Sequence, residues 1–165
     1  AEDLDMGPLI NEKQFRQVRD MVATAEAAGL KVAARGTVSP NASSTGYYQE
    51  AVLFRDVPHE SDIAQREIFG PVLALTPFAD EAEAVRLANG TDFGLVAGVW
   101  TRDGARQLRM AHKLHCGQVF VNNYGAAGGV ELPFGGVKSS GFGREKGFEA
   151  LLGFTTLKTI AIKHG

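Results

Sequence analysis

Behind Asn11 the apolar residues Phe15, Val18, Val22 and Ala25 recur three and four positions apart, until Gly29 ends the run. A period of about 3.6 residues places them on one helical face, and Asn11 with Gln14 has the form of a capping box. The chain therefore needs an apolar partner for that face, and the sequence beyond Gly29 changes period to supply one. Residues 30–35 read as extended, "SPNASSTG" (39–46) as a loop and "YYQEAVLF" as a strand. Residues 61–66 can form a short helix stopped at Gly70-Pro71, with Glu67 on its last turn. "VLALTPF" is a continuous apolar run of buried-strand character. Asp80 and Glu83 repeat the capping-box form ahead of a helix whose apolar side is Ala84, Leu87 and Ala88. "LVAGVWT" reads as another buried strand. Asp103 then caps a helix that turns Ala105, Leu108, Met110, Ala111 and Leu114 toward a core, and "QVFVNN" is again a strand. Alternating strands and helices predict an α/β fold with parallel strands.

The composition narrows the partners. Seventeen basic against nineteen acidic residues leave a net charge of −2 without a basic stripe, so nucleic acid and anionic membrane are not expected partners. The apolar runs are too short to span a bilayer. One cysteine excludes an internal disulfide framework and fits a reducing compartment, so a cytoplasmic protein is expected. Apolar residues at 44% suffice for a core, and 165 residues suit one compact domain or part of a larger one. The opening "AEDLDMGPLIN" has no initiator Met and looks like a loop, which suggests a fragment.

Residues 123–147, "NYGAAGGVELPFGGVKSSGFGREKG", break the alternation with a long glycine-rich segment. Ordered loops of this length are commonly functional, and Val130, Leu132, Pro133, Phe134 and Phe142 argue against a plain flexible linker. "GFGREKG" is only superficially a phosphate-binding fingerprint: its third glycine is misplaced and no strand leads into it. A short helical stretch near 146–153 precedes "FTTLKTIAIKHG", which reads as an exposed strand in want of a partner sheet.

Two places could carry chemistry. Cys116 stands near His112 and His115 and admits three readings: a nucleophile, one ligand of a metal site, or a small apolar filler. It lies at the C-terminal end of the 103–115 helix, where the dipole opposes a thiolate. The two histidines and the cysteine offer at most three ligands and no visible fourth. The filler reading is favoured. Glu67 in "QREIFGPV" sits beside Ile68 and Phe69, against the dipole of its helix end. A carboxylate there can accept hydrogen bonds from both hydroxyls of a ribose while the aromatic neighbour packs on a flat ring. An ordinary solvated glutamate is the alternative.

The motifs "EIFGPV", "N.T.FGL.A.V.T.D", "G.V.VN", "PFGG.K.SG.GRE.G" and "T..K", in that order, resemble the aldehyde dehydrogenase superfamily over essentially the whole chain. "MGPLI" resembles the stretch downstream of that family's nucleophile. The resemblance implies the C-terminal portion of an NAD(P)-dependent aldehyde dehydrogenase. Its fold would be a three-layer α/β/α part of the catalytic domain with a C-terminal strand of the oligomerisation region. Residues 1–139 would belong to the catalytic domain, 140–154 to a connecting loop and helix, and 155–165 to an oligomerisation strand. It further implies that Glu67 binds the nicotinamide ribose of NAD or NADP, that Phe69 walls the nicotinamide pocket and that Phe134 lines the aldehyde tunnel. The 123–133 loop would help to set substrate preference. Glu145 would stand on a proton-relay path, a salt-bridged loop residue near Arg144 or Lys146 being the alternative. Asn122 and Lys138 are expected to be structural. The nucleophilic cysteine, the general-base glutamate and the main dinucleotide-binding domain would lie upstream, leaving the isolated chain inactive. A non-catalytic assembly or ligand-contact module built on the same fold is the rival reading.

Overall fold

A computed structural model describes residues 5–125 and 129–165. The chain divides into two compact units, Ala1–Phe78 and Ala79–Gly165.

The first unit is one helix laid on one face of a small sheet. Helix α1 (Glu12–Ala27) starts where Asn11 Oδ1 accepts the Gln14 N–H at 2.8 Å, and it ends with Gly29 in the left-handed region at φ +84°. Its buried side chains are Val18, Met21, Val22 and Ala25; Phe15, half-buried, packs instead toward Tyr47. The sheet runs β1 (Lys31–Arg35), β2 (Val52–Arg55) and β3 (Val72–Ala74), the first pair antiparallel and the second parallel. Val52 and Phe54 point at α1, and the register Val52↔Val72 and Phe54↔Ala74 sends Val72 and Ala74 to the same side. Val18 and Phe54 are both fully buried there, each removal from water stabilising by roughly 1.5–3 kcal/mol. A single turn, α2 (Asp62–Gln65), adds Ile63 to that cluster.

The strand expected over "YYQEAVLF" forms only at Val52–Arg55, and two further expectations fail in this unit. The run "VLALTPF" is not buried on both faces: Leu73 is 61% exposed and Leu75 and Phe78 are exposed too. The pleat puts Leu73 opposite the α1 side, where no described element of the unit lies over it. Glu67 is not on a helical turn either. Arg66, at φ −112° and ψ 145°, has already left the helix, so Glu67 belongs to the turn that follows.

The second unit contains α3 (Glu81–Asn89), β4 (Phe93–Gly94), β5 (Val96–Val99), α4 (Gly104–Lys113), β6 (Gln118–Val121) and β7 (Val137–Lys138). Asp80 Oδ1 accepts the Glu83 N–H, while Glu83 Oε2 accepts the Ala79 N–H, each at 2.8 Å, so the second capping box forms nearly as predicted. Strands β5 and β6 are parallel neighbours joined through α4, a βαβ unit. Among the described residues, however, the strands make three small sheets rather than one parallel sheet, because the parallel pairs β2–β3 and β5–β6 each end at an unpaired edge and β4–β7 is antiparallel. Helix α4 buries only Met110; Leu108 is 66% exposed and Ala105 is exposed, against expectation. Residues Phe148–Phe154 form a 3-10 helix. The strand expected over 155–165 has no ladder partner among the described residues and is exposed throughout, since an extended segment becomes a strand only beside another.

Helices α3 and α4 are clasped by charge. Glu81 meets Arg109 at 2.7 Å, Arg106 at 3.4 Å and Lys113 at 3.9 Å, and its side chain is only 20% exposed. The hydrogen bond from Arg109 is the main reason its carboxyl titrates at about 2 rather than 4.5. A depressed carboxyl pKa adds stability that is complete above the ordinary value and disappears as pH falls through the folded one. Glu81→Gln should therefore unfold more easily than the parent at neutral pH, with the gap closing between about pH 4.5 and about 2. Denaturant unfolding across that range checks this, and a pH-independent gap would count against the clasp.

Candidate functional site

The first constellation is the turn after α2. Ile68 is 8% exposed and joins the α1 cluster, anchoring the turn from within. Phe69, at φ +52°, takes a left-handed conformation uncommon for an aromatic residue, and its ring is 73% exposed. Gly70 then passes so close to α1 that a Cβ would lie 2.5 and 2.9 Å from the Val18 methyl carbons. From the α1 side, Gln14 Nε2 donates to the Ile68 carbonyl at 2.7 Å and to the Phe69 carbonyl at 3.2 Å. Glu67 is exposed and has no ion-pair partner among the described residues. A buried isoleucine and a glycine without room for a side chain thus display a free carboxylate and a bare aromatic ring. That pair suits a ligand with vicinal hydroxyls beside a flat heterocycle.

The second constellation lies in the glycine-rich segment. Phe134 and Glu145 form an isolated antiparallel bridge, each N–H donating to the other's carbonyl at 2.6 Å, which closes the stretch between them into a loop. Gly147 N–H donates to the Val130 carbonyl at 2.7 Å, and Gln118 Nε2 donates to the Pro133 carbonyl at 2.8 Å, tying the loop to β6. Inside the loop the Arg144 guanidinium donates to the Gly136 carbonyl at 3.0 Å. A recess of about 700 Å³ opens here, lined among others by Leu95, Phe134, Phe142, Glu145 and Leu152. Phe134 is half-buried, with Lys146 Nζ 5.7 Å from its ring centroid. The Glu145 side chain is exposed and in no ion pair among the described residues, so the salt-bridge alternative finds no support. Residues 126–128, part of the loop expected to influence substrate preference, lie outside the described residues.

Glu67 and Phe69 thus share one turn of the first unit, and Phe134 and Glu145 share one bridge of the second. A second recess of about 760 Å³ beside α1 and α2, lined among others by Arg16, Asp20, Asp62 and Arg66, holds none of the predicted site residues.

Cys116 behaves as the filler reading expects. Its Sγ is half-buried and donates to the Gln118 carbonyl at 3.1 Å, and burial pushes the thiol pKa up. A raised pKa is the opposite of what a nucleophile needs. His112 and His115 are exposed, and no group of three metal-binding side chains occurs among the described residues. Asn122 fixes the exit from β6: its side chain accepts the Thr101 N–H at 2.9 Å and donates to the Thr101 carbonyl at 3.0 Å. Lys138 Nζ donates to the Asn89 and Thr91 carbonyls, each at 2.8 Å, where α3 ends.

Two residues of these sites escape sequence reasoning. Gln14 fits a capping box, and nothing local tells that its side chain reaches across the fold instead. Gly117 is pressed on the Gly135 carbonyl oxygen, which a Cβ would overlap; a glycine opening a strand is the available signal of such an approach.

A family profile described as "Aldehyde dehydrogenase family" matches residues 1–160. A betaine aldehyde dehydrogenase of Sinorhizobium fredii is 42% identical over 165 residues, covering 99% of this chain and 34% of that protein. The crystal structure of a putative aldehyde dehydrogenase from Burkholderia cenocepacia superposes with a TM-score of 0.93 at 64% identity, covering 99% of this chain and 34% of that one. The Mycobacterium tuberculosis aldehyde dehydrogenase complexed with NAD+ superposes at 0.84 with 36% identity, over 92% of this chain and 31% of that one. The chain thus spans about a third of the length of these relatives.

The contact of Gly117 with Gly135 makes the bridge region sensitive to one methyl group. In the full-length polypeptide carrying this segment, Gly117→Ala should lower stability by about 1–3 kcal/mol and speed proteolysis within 133–147. An unchanged melting temperature and cleavage pattern would show that the approach is not tight.

Proposed function

The chain belongs to the aldehyde dehydrogenase family, and from that premise we propose that it is the C-terminal portion of an NAD(P)-dependent enzyme that oxidises an aldehyde to a carboxylic acid. The observation that carries the cofactor half of this reading is the braced turn offering a free Glu67 carboxylate beside an exposed Phe69 ring. In this reading residues 1–139 belong to a three-layer α/β/α catalytic domain, 140–154 connect, and 155–165 supply a strand to a partner subunit. The bare side chains of Leu157, Ile160 and Ile162 support that last assignment.

The overall reaction takes aldehyde, NAD(P)+ and water to carboxylic acid, NAD(P)H and a proton. A cysteine thiolate outside these residues adds to the carbonyl to give a thiohemiacetal, and the thioester left after hydride loss is hydrolysed by an activated water. The chemistry that bound NAD(P) would supply is that of a hydride acceptor. The role of this chain is to position. Glu67 would hold the cofactor by accepting hydrogen bonds from the ribose hydroxyls at the nicotinamide end, and Phe69 would support the ring, which would position it for hydride transfer. Phe134 shapes the recess that holds the aldehyde's apolar part, with the bridge to Glu145 keeping it in place. The Glu145 carboxylate, exposed at the edge of that recess, is suited to pass protons between the site and solvent.

Cys116, the only cysteine here, has the wrong electrostatics for the nucleophile. The isolated 165-residue chain should therefore produce no aldehyde-dependent NADH, and robust turnover by it would overturn the assignment. In the full-length polypeptide, Glu67→Gln should slow hydride transfer about tenfold or more while cofactor affinity changes less, because the adenosine end is held elsewhere. Unchanged single-turnover rates in that variant would remove Glu67 from the site.

A further inference from the structure

Asn11 starts a capping box that the Gln14 side chain does not complete. Its backbone N–H is taken by Asn11 Oδ1, but its amide nitrogen turns away from Asn11 and donates across 54 and 55 residues to the Ile68 and Phe69 carbonyls. A primary amide carries two N–H donors, so one side chain can serve two successive carbonyls at once. Those carbonyls belong to the residue that anchors the turn and to the residue in the left-handed conformation. An aromatic residue keeps such a conformation only where its surroundings hold it. Below the turn the hold is the buried Ile68 side chain, and beyond it the contact of Gly70 with Val18. Between these two points the only described side chain donating to the turn's carbonyls is that of Gln14.

We propose that Gln14 is a positioning residue for hydride transfer: by holding the Ile68 and Phe69 carbonyls it aims the Glu67 carboxylate and the Phe69 ring at the nicotinamide riboside of NAD(P). The proposal rests on the reading that Glu67 and Phe69 meet that end of the cofactor. Gln14 acts through the turn and touches neither substrate nor the reacting atoms in this role. Its loss leaves the part-buried Ile68 carbonyl without its donor and frees the Phe69 backbone to relax toward ordinary angles. The cofactor would still bind through its distant end, with the nicotinamide less well placed.

The test uses the full-length polypeptide with NAD+ or NADP+ and an aldehyde it turns over. Gln14→Met keeps length and helix propensity while removing both donors. It should lower the single-turnover rate of hydride transfer about tenfold or more, with cofactor dissociation constant changed less than about threefold. Without cofactor or substrate, hydrogen exchange over residues 66–70 should quicken in the same variant. Gln14→Lys, which restores a donor, should recover a large part of the rate. Gln14→Glu, nearly isosteric but without a donor at neutral pH, should repeat the Met result and serves if Gln14→Met does not fold. An unchanged rate in Gln14→Met together with a slowed Glu67→Gln overturns the role of Gln14 alone. Unchanged rates in both overturn the reading of the turn as well. Unaltered exchange over 66–70, or a slow Gln14→Met that Gln14→Lys does not relieve, also overturns the proposal.

Discussion

Gly70 lies against Val18 with no room for a side chain between them, and much of the first unit depends on that contact. Because the turn passes directly over α1, Ile68 can enter the cluster of Val18, Val22 and Phe54. A buried residue on one side and a backbone contact on the other leave Glu67 and Phe69 facing outward, whatever their own preferences for burial. Phe69 shows the consequence most clearly: a large aromatic ring stays mostly in solvent because its backbone is held by neighbours that are not. The apolar cluster that stabilises the unit is thus also what displays the two residues proposed to meet the cofactor. Packing and presentation are one arrangement.

The second unit solves a similar problem with less apolar material. Val99 and Met110 are its only buried large hydrophobics among the described residues. Order around the recess comes instead from backbone: the two-way bridge between Phe134 and Glu145, the tie from Gly147 to Val130, and the close approach of Gly117 to Gly135. Glycine is needed at position 117 because two backbones meet there, not because the chain must bend. The α3–α4 pair is held by Glu81 and its three cations, an arrangement that tolerates the exposure of Leu108 on the outer face of α4.

Exposed apolar groups are numerous, from Leu73 and Trp100 to the closing Leu157, Ile160 and Ile162. A chain that spans about a third of its relatives' length has room for partners to such surfaces. The "VLALTPF" run reads as a strand buried on both faces because sequence pattern reports the surroundings for which a segment is suited. It does not report whether those surroundings lie within the same 165 residues. The same holds for residues 155–165, whose alternation suits a sheet that the described residues do not provide.

What the sequence determined by itself were the features fixed within a few residues. These are the caps at Asn11, Asp80 and Asp103, the stop at Gly29, the βαβ passage through α4, and the motif order that marks the family. Local hydrogen bonds and side-chain periodicity decide these, and both are written in neighbouring residues. Glu67 lies off the helix, because α2 ends at Gln65, one residue short of the expected 61–66 span, and Arg66 is already extended. That Phe69 adopts a left-handed backbone, that Gln14 reaches the turn rather than its own cap, and that Gly117 meets Gly135 were decided only by tertiary structure. Each depends on two segments far apart in sequence arriving at the same place, and no local pattern encodes the distance between them.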